Sequence, residues 1–124
     1  MANRYWVGGT GNWSDTNHWS ATSGGSGGAS VPTSNDNVYF DANSFTAAGQ
    51  SVTINATANC LDMDWTGALY NPTLLGSRQI FIYGSMTLAS EMTDNSTTQK
   101  SFRPATEKTI NTKGVILQRG IDIG

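Results

Sequence analysis

The chain has 124 residues, 13% of them charged and 37% hydrophobic, with a net charge of -2. That length predicts one domain with one modest core, and the near-balanced charge leaves out the basic face that a nucleic-acid partner demands. The few Lys and Arg after Arg4 are scattered through the C-terminal half without forming a run, and no apolar stretch is long enough to cross a membrane or to serve as an export leader.

The opening segment is the most specific part of the chain. Three of the four tryptophans, Trp6, Trp13 and Trp19, sit in a stretch punctuated by Gly8, Gly9 and Gly11. Glycine brings no side chain to bury, so large indoles placed among glycines must cover area elsewhere. The expected object is a cap whose indoles, with His18 among them, close one end of a β-rich body. A strand is expected at Arg4 to Val7 and a helical turn at Asp15 to Trp19, with Ser14 or Asp15 as its cap. The run Ser23-Gly24-Gly25-Ser26-Gly27-Gly28 reads as a surface loop, because Val31-Pro32-Thr33 leads directly into a strand. Residues 1–34 are therefore the cap and loop of a single 1–124 domain, and residues 35–124 its strand-built body.

In that body the hydrophobic period is two. Val38 and Phe40 share one face, as do Val52 and Ile54, and Leu61, Met63 and Trp65 alternate with Asp62, Asp64 and Thr66. Ile80-Phe81-Ile82-Tyr83 is apolar on both faces and needs outer cover, from the Trp-rich segment or a neighbouring subunit. Met86 with Leu88, Thr109 to Thr112, Val115 to Leu117, and Ile121 with Ile123 complete the strands. Turn signals at Thr66-Gly67, Asn71-Pro72, Gly76, Gly84, Asp94-Asn95, Gly114 and Gly120 separate these runs. The fold class is all-β. Short strands and short connections favour a β-solenoid body, although no repeat of fixed period is visible, and an antiparallel sandwich or jelly roll is the alternative.

The opening Arg4-Tyr5-Trp6-Val7-Gly8-Gly9-Thr10-Gly11-Asn12-Trp13-Ser14, with Asn17-His18-Trp19-Ser20, then Ser30-Val31-Pro32-Thr33-Ser34 and Asp36 through Ser44, resembles a recurring N-terminal module. It is similar to the start of tailed-phage structural proteins, and of related bacterial surface proteins, that carry a β-helical body. The likeness covers roughly the first 45 residues. It implies a cap followed by parallel coils, a place on a virion surface, and a structural hydrogen bond between Asp41 and the loop; it informs architecture and location more than activity.

Few constellations point to chemistry. Asp62 and Asp64 share a strand face, where they are either a metal or acid–base pair or a solvated polar face. Asp36, Asp41 and Asn43, with Asn35 and Asn37, have the oxygen ligands of a calcium site, or equally of turns. His18 lacks partners for zinc, and the single Cys60 can form no internal disulfide and reads as a small core residue. No phosphate loop, nucleophile elbow or dinucleotide fingerprint is present. The aromatics Tyr5, Trp6, Trp13, Trp19, Tyr39, Trp65, Tyr70 and Tyr83 divide between core and sugar-stacking platforms, with Tyr39, Trp65 and Tyr83 the expected glycan or partner contacts. The expected protein is not an enzyme and uses no cofactor. It is a structural component exposed on a phage particle, as capsid decoration, head fibre or tail appendage. Its expected partners are other virion proteins and copies of itself. The alternative is a carbohydrate-binding module of a virion or bacterial surface protein.

Overall fold

The computed structural model describes residues 2–103, 109–117 and the backbone of 121–123. The chain winds as a β-solenoid of about three turns. A cap comes first: β1 (Asn3–Trp6), β2 (Gly11–Asn12), a single 3-10 turn at Thr16–His18, and β3 (Trp19–Ser20). The first coil is β4 (Asn37–Tyr39), β5 (Ser51–Ile54) and β6 (Ala58–Cys60). The second is β7 (Met63–Asp64), β8 (Thr73–Gly76) and β9 (Ile80–Ile82). The third is β10 (Met86–Thr87), β11 (Thr93–Asp94) and β12 (Lys100–Phe102), followed by β13 (Ile110–Asn111) and β14 (Ile121–Ile123). Stacking the coils makes three sheets. The first sheet runs β13-β10-β7-β4-β1-β3, the second β11-β8-β5-β2, and the third β14-β12-β9-β6. Among the described residues every pairing is parallel except β1 with β3.

Register carries one apolar row per wall into a common interior. Val38 stands beside Met63, Met63 beside Met86, and Met86 beside Ile110. Val52 lies beside Leu74, and Cys60 beside Ile82, which pairs with Phe102. These side chains are buried, apart from half-buried Ile110. Each enclosed aliphatic or aromatic group contributes about 1.5–3 kcal/mol. No coil could bury its inner face alone, which is why short strands with little intrinsic stability persist only as a stack.

The repeat that the sequence hides becomes visible at the corner between the third and first sheets. Asn37 Oδ1 accepts the Asp62 amide, 25 positions on, at 3.2 Å. Asp62 Oδ1 accepts the Ser85 amide, 23 positions on, at 2.8 Å. Ser85 Oγ accepts the Thr109 amide, 24 positions on, at 3.1 Å. The spacing drifts because loops elsewhere change length, so no fixed period survives in the sequence.

The structure corrects three sequence expectations, the first at this same corner. Leu61 to Trp65 is not one strand: β6 ends at Cys60, the chain turns at Leu61 and Asp62, and β7 begins at Met63. Alternation continues through the bend, so the turn leaves no mark on the hydrophobic pattern. Gly84 makes the equivalent turn one coil later; a Cβ there would collide with the Asp62 side chain and the Leu61 backbone. The outer side of Ile80 to Tyr83 is not covered by the Trp-rich segment. Phe81 is half-buried beneath the Arg103 guanidinium, 5.9 Å from its ring centre. Val115 to Leu117 is not a strand either, and Ile116 within it is 78% exposed. The expected turn at Gly120 and the side chains of Ile121 and Ile123 lie outside the described residues.

Candidate functional site

The cap is one continuous aromatic cluster. Asp15 starts the 3-10 turn by accepting the Asn17 amide at 2.9 Å, and the turn swings Trp19 back so that β3 pairs with β1, Trp6 opposite Trp19. Trp19 meets the edges of Trp6 and Trp13 at 5.1 and 4.9 Å, and its indole N–H donates to the Trp13 carbonyl at 2.7 Å. The Trp6 indole N–H donates to the Gly9 carbonyl at 2.7 Å. Phe40 lies beneath all three indoles and stacks on Trp65 at 3.8 Å, passing the cluster on to the first two coils. Edge-to-face and offset contacts of this kind stabilise beyond the area they bury.

His18 lies flat on Trp6 at 4.8 Å, with Nδ1 2.7 Å from the Val7 carbonyl. It is a packing element of the cap. Its ring covers Gly11 so closely that a Cβ at that position would overlap it. Gly11→Ala therefore displaces His18 from Trp6 and is expected to cost about 1–3 kcal/mol as an overpacking change. A thermal melt measures the loss, and the His18 ring proton shifts report its displacement from the indole.

The acids that could have held calcium are engaged in tying the cap to the first coil. Asp36, 7% exposed, accepts the Ala2 amide and both the amide and hydroxyl of Thr33. Burial pushes its carboxyl up, but those bonds and the nearby Arg4 charge more than offset this and hold it below the ordinary aspartate value. A carboxylate whose value is lowered by folding stabilises the fold above its unfolded value, and that contribution disappears as pH falls through its folded value. Stability is thus expected to decline on acidification, and Asp36→Asn should flatten that part of a stability-against-pH curve, read by urea titration at several pH values. Asp41 accepts the Ser23 hydroxyl of the glycine-rich loop at 2.6 Å, as well as the Asn43 amide. Asp64 accepts the Thr66 amide within its own turn. Among the described residues no group of three His, Cys, Asp or Glu could hold a metal ion. Cys60 is enclosed in the core, and burial, with the Asp62 charge behind it, pushes its thiol up.

The three expected contact aromatics do not form one row. Trp65 is 0% exposed, because its strand face is the inner one and its ring sits between Phe40 and Phe45; it is not a surface platform. Tyr39 stacks on Tyr5 at 5.0 Å on the outside of the first sheet and is half-buried. Burial, then Tyr5, Asp62 and Asp64, raise its phenol above the ordinary value. Tyr83 is also half-buried and lies elsewhere, after β9. The openly exposed aromatic among the described residues is Tyr70, at 48%. It and Asn71 hold left-handed backbone, φ 71° and 49°, conformations that cost non-glycine residues energy. Next to it, Leu69 lines a shallow groove of about 310 Å³ with Thr66, Leu88, Glu91 and Lys113.

The feature that sequence reasoning missed lies inside the third coil. Asp94 occupies the inner position held by Leu74 one coil earlier, and Lys100 that held by Ile80. Their side chains meet at 2.7 Å, both 0% exposed. Asp94 Oδ1 also accepts the Ser96 amide at 3.1 Å and the Ser96 hydroxyl at 2.6 Å. The signal was the alternation of buried Asp94, Ser96, Thr98 and Lys100 with exposed Thr93, Asn95 and Thr97, but polar residues on both sides conceal which face is inward.

No protein-family model, curated protein or solved structure matches this chain. No helix among the described residues is long and apolar enough to cross a membrane.

Proposed function

We propose that the chain is a non-enzymatic structural component of a phage particle, exposed on the particle surface as a capsid decoration, head fibre or tail appendage. It acts by shape, docking onto other capsid or tail proteins and onto copies of itself. The observation that carries this reading is the commitment of the N-terminal module to construction. Trp6, Trp13, Trp19 and His18 pack as a plug over the coils, and Asp36 and Asp41 bind backbone and loop groups. A plug of that kind protects the end of a parallel stack, where unpaired strand edges would otherwise invite uncontrolled pairing. The test is the absolute mass of the purified chain by light scattering across a concentration series. A stable trimer or a growing polymer supports self-assembly, and a strict monomer removes self-assembly from the proposal.

The second reading, a carbohydrate-binding module, is favoured by Tyr70 alone, an exposed ring beside a groove with a carboxylate and an ammonium on its walls. A sugar array on the wild type and on Tyr70→Ala tests it: binding that disappears in the variant supports it, and a blank array on the wild type ends it.

A further inference from the structure

We propose that Asp94 and Lys100 condense to a side-chain amide, an intramolecular isopeptide bond inside the third coil. This is independent of the phage and glycan readings, since it rests on the interior alone. Nζ of Lys100 lies 2.7 Å from Oδ2 of Asp94, and neither side chain reaches solvent. As an ammonium, Nζ carries three N–H donors, and Asp94 is its one acceptor among the described residues. Thr98, alternating onto the same interior between them, has a buried hydroxyl with no partner among the described residues. Two full charges and surplus donors are therefore enclosed where the coils on one side place Leu74 and Ile80, an arrangement that a low-dielectric interior penalises. The amide removes both charges and leaves a single N–H.

The surroundings supply the means. A proton passes from Nζ to Oδ2, converting ammonium and carboxylate into amine and carboxylic acid. The Nζ lone pair adds to Cγ, and the carbonyl electrons move onto Oδ1. There the amide and hydroxyl of Ser96, at 3.1 and 2.6 Å, donate to the oxygen as negative charge develops on it. The adduct collapses, the Cγ–Oδ2 bond breaks, and Oδ2 takes a second proton from Nζ and departs as water. One Nζ–Cγ bond forms, one water leaves, and nothing is oxidised or reduced. Exclusion of bulk water from the interior then withholds the reagent for reversal.

The test is the mass of the full chain, purified and denatured, followed by a tryptic digest. The expected mass is lighter than that of the sequence by one water. Trypsin should leave the bond after Lys100 uncut, and fragmentation should place the loss between Asp94 and Lys100. Lys100→Arg keeps the charge but offers no comparable nucleophile, and should restore the full mass. A wild type at full mass with Lys100 cleaved, or a Lys100→Arg variant that is still one water lighter, overturns the proposal.

Discussion

Lys100→Met with Asp94 retained is expected to lose about 3–5 kcal/mol of stability, because it strands a carboxylate in a sealed wall. Asp94 is 0% exposed, and Ser96 is its only other partner among the described residues, so no solvent compensates for the lost cation. The double variant Lys100→Met, Asp94→Leu should recover most of that loss, since the neighbouring coil already accepts Ile80 and Leu74 at the matching positions. A side-chain amide would not reverse this expectation. It closes only the short loop 94–100, so its entropic contribution is small beside that of a long-range link. Denaturant unfolding of the wild type, both single variants and the double variant supplies the full cycle. If the double variant is as unstable as the singles, the interior of the third coil tolerates polar groups for a reason other than pairing.

Trp19→Ala is expected to cost about 3–5 kcal/mol, as other truncations of fully enclosed large aromatics do. Trp19 is 0% exposed and touches Trp6, Trp13 and Phe40, so its loss opens a cavity shared by all three rings. It also releases the Trp13 carbonyl from its 2.7 Å bond. Because β3 holds only Trp19 and Ser20, the antiparallel closure over β1 should loosen with it. The variant should lose near-ultraviolet circular dichroism, shift its denaturant midpoint downward and self-associate through the uncovered first coil. Trp6→Ala and Trp13→Ala should act in the same direction, and less than additively, since they remove parts of one cluster. An unchanged midpoint for Trp19→Ala would mean that the indoles decorate the end of the solenoid without closing it.

Much of this architecture could be read from residue alternation. Val38 with Phe40, Val52 with Ile54, and Met86 with Leu88 point inward as their period-two pattern requires, and the tryptophans of the opening segment form a cap. What alternation cannot convey is where a strand turns a corner. Cys60 and Met63 belong to different sheets, although the pattern across them is unbroken. Nor does it reveal the interior when inner residues are charged. Asp94 and Lys100 look like solvent-facing groups until register places them against Leu74 and Ile80. Trp65 shows the opposite difficulty: its aromatic character suggested a surface contact, while its place in the alternation already assigned it to the core.

The three coils differ most in the segment between their first and second sheets, which spans 40–50, then 65–72, then 88–92. The corner between the third and first sheets, where Asn37, Asp62 and Ser85 each hold the next coil's amide, stays tight through the first two coils. One edge of the solenoid thus acts as a spine and another as a margin on which sequence can be written. New recognition loops could be gained or lost along that margin without re-registering a single strand, so a lineage could change what such a rod touches while keeping the rod.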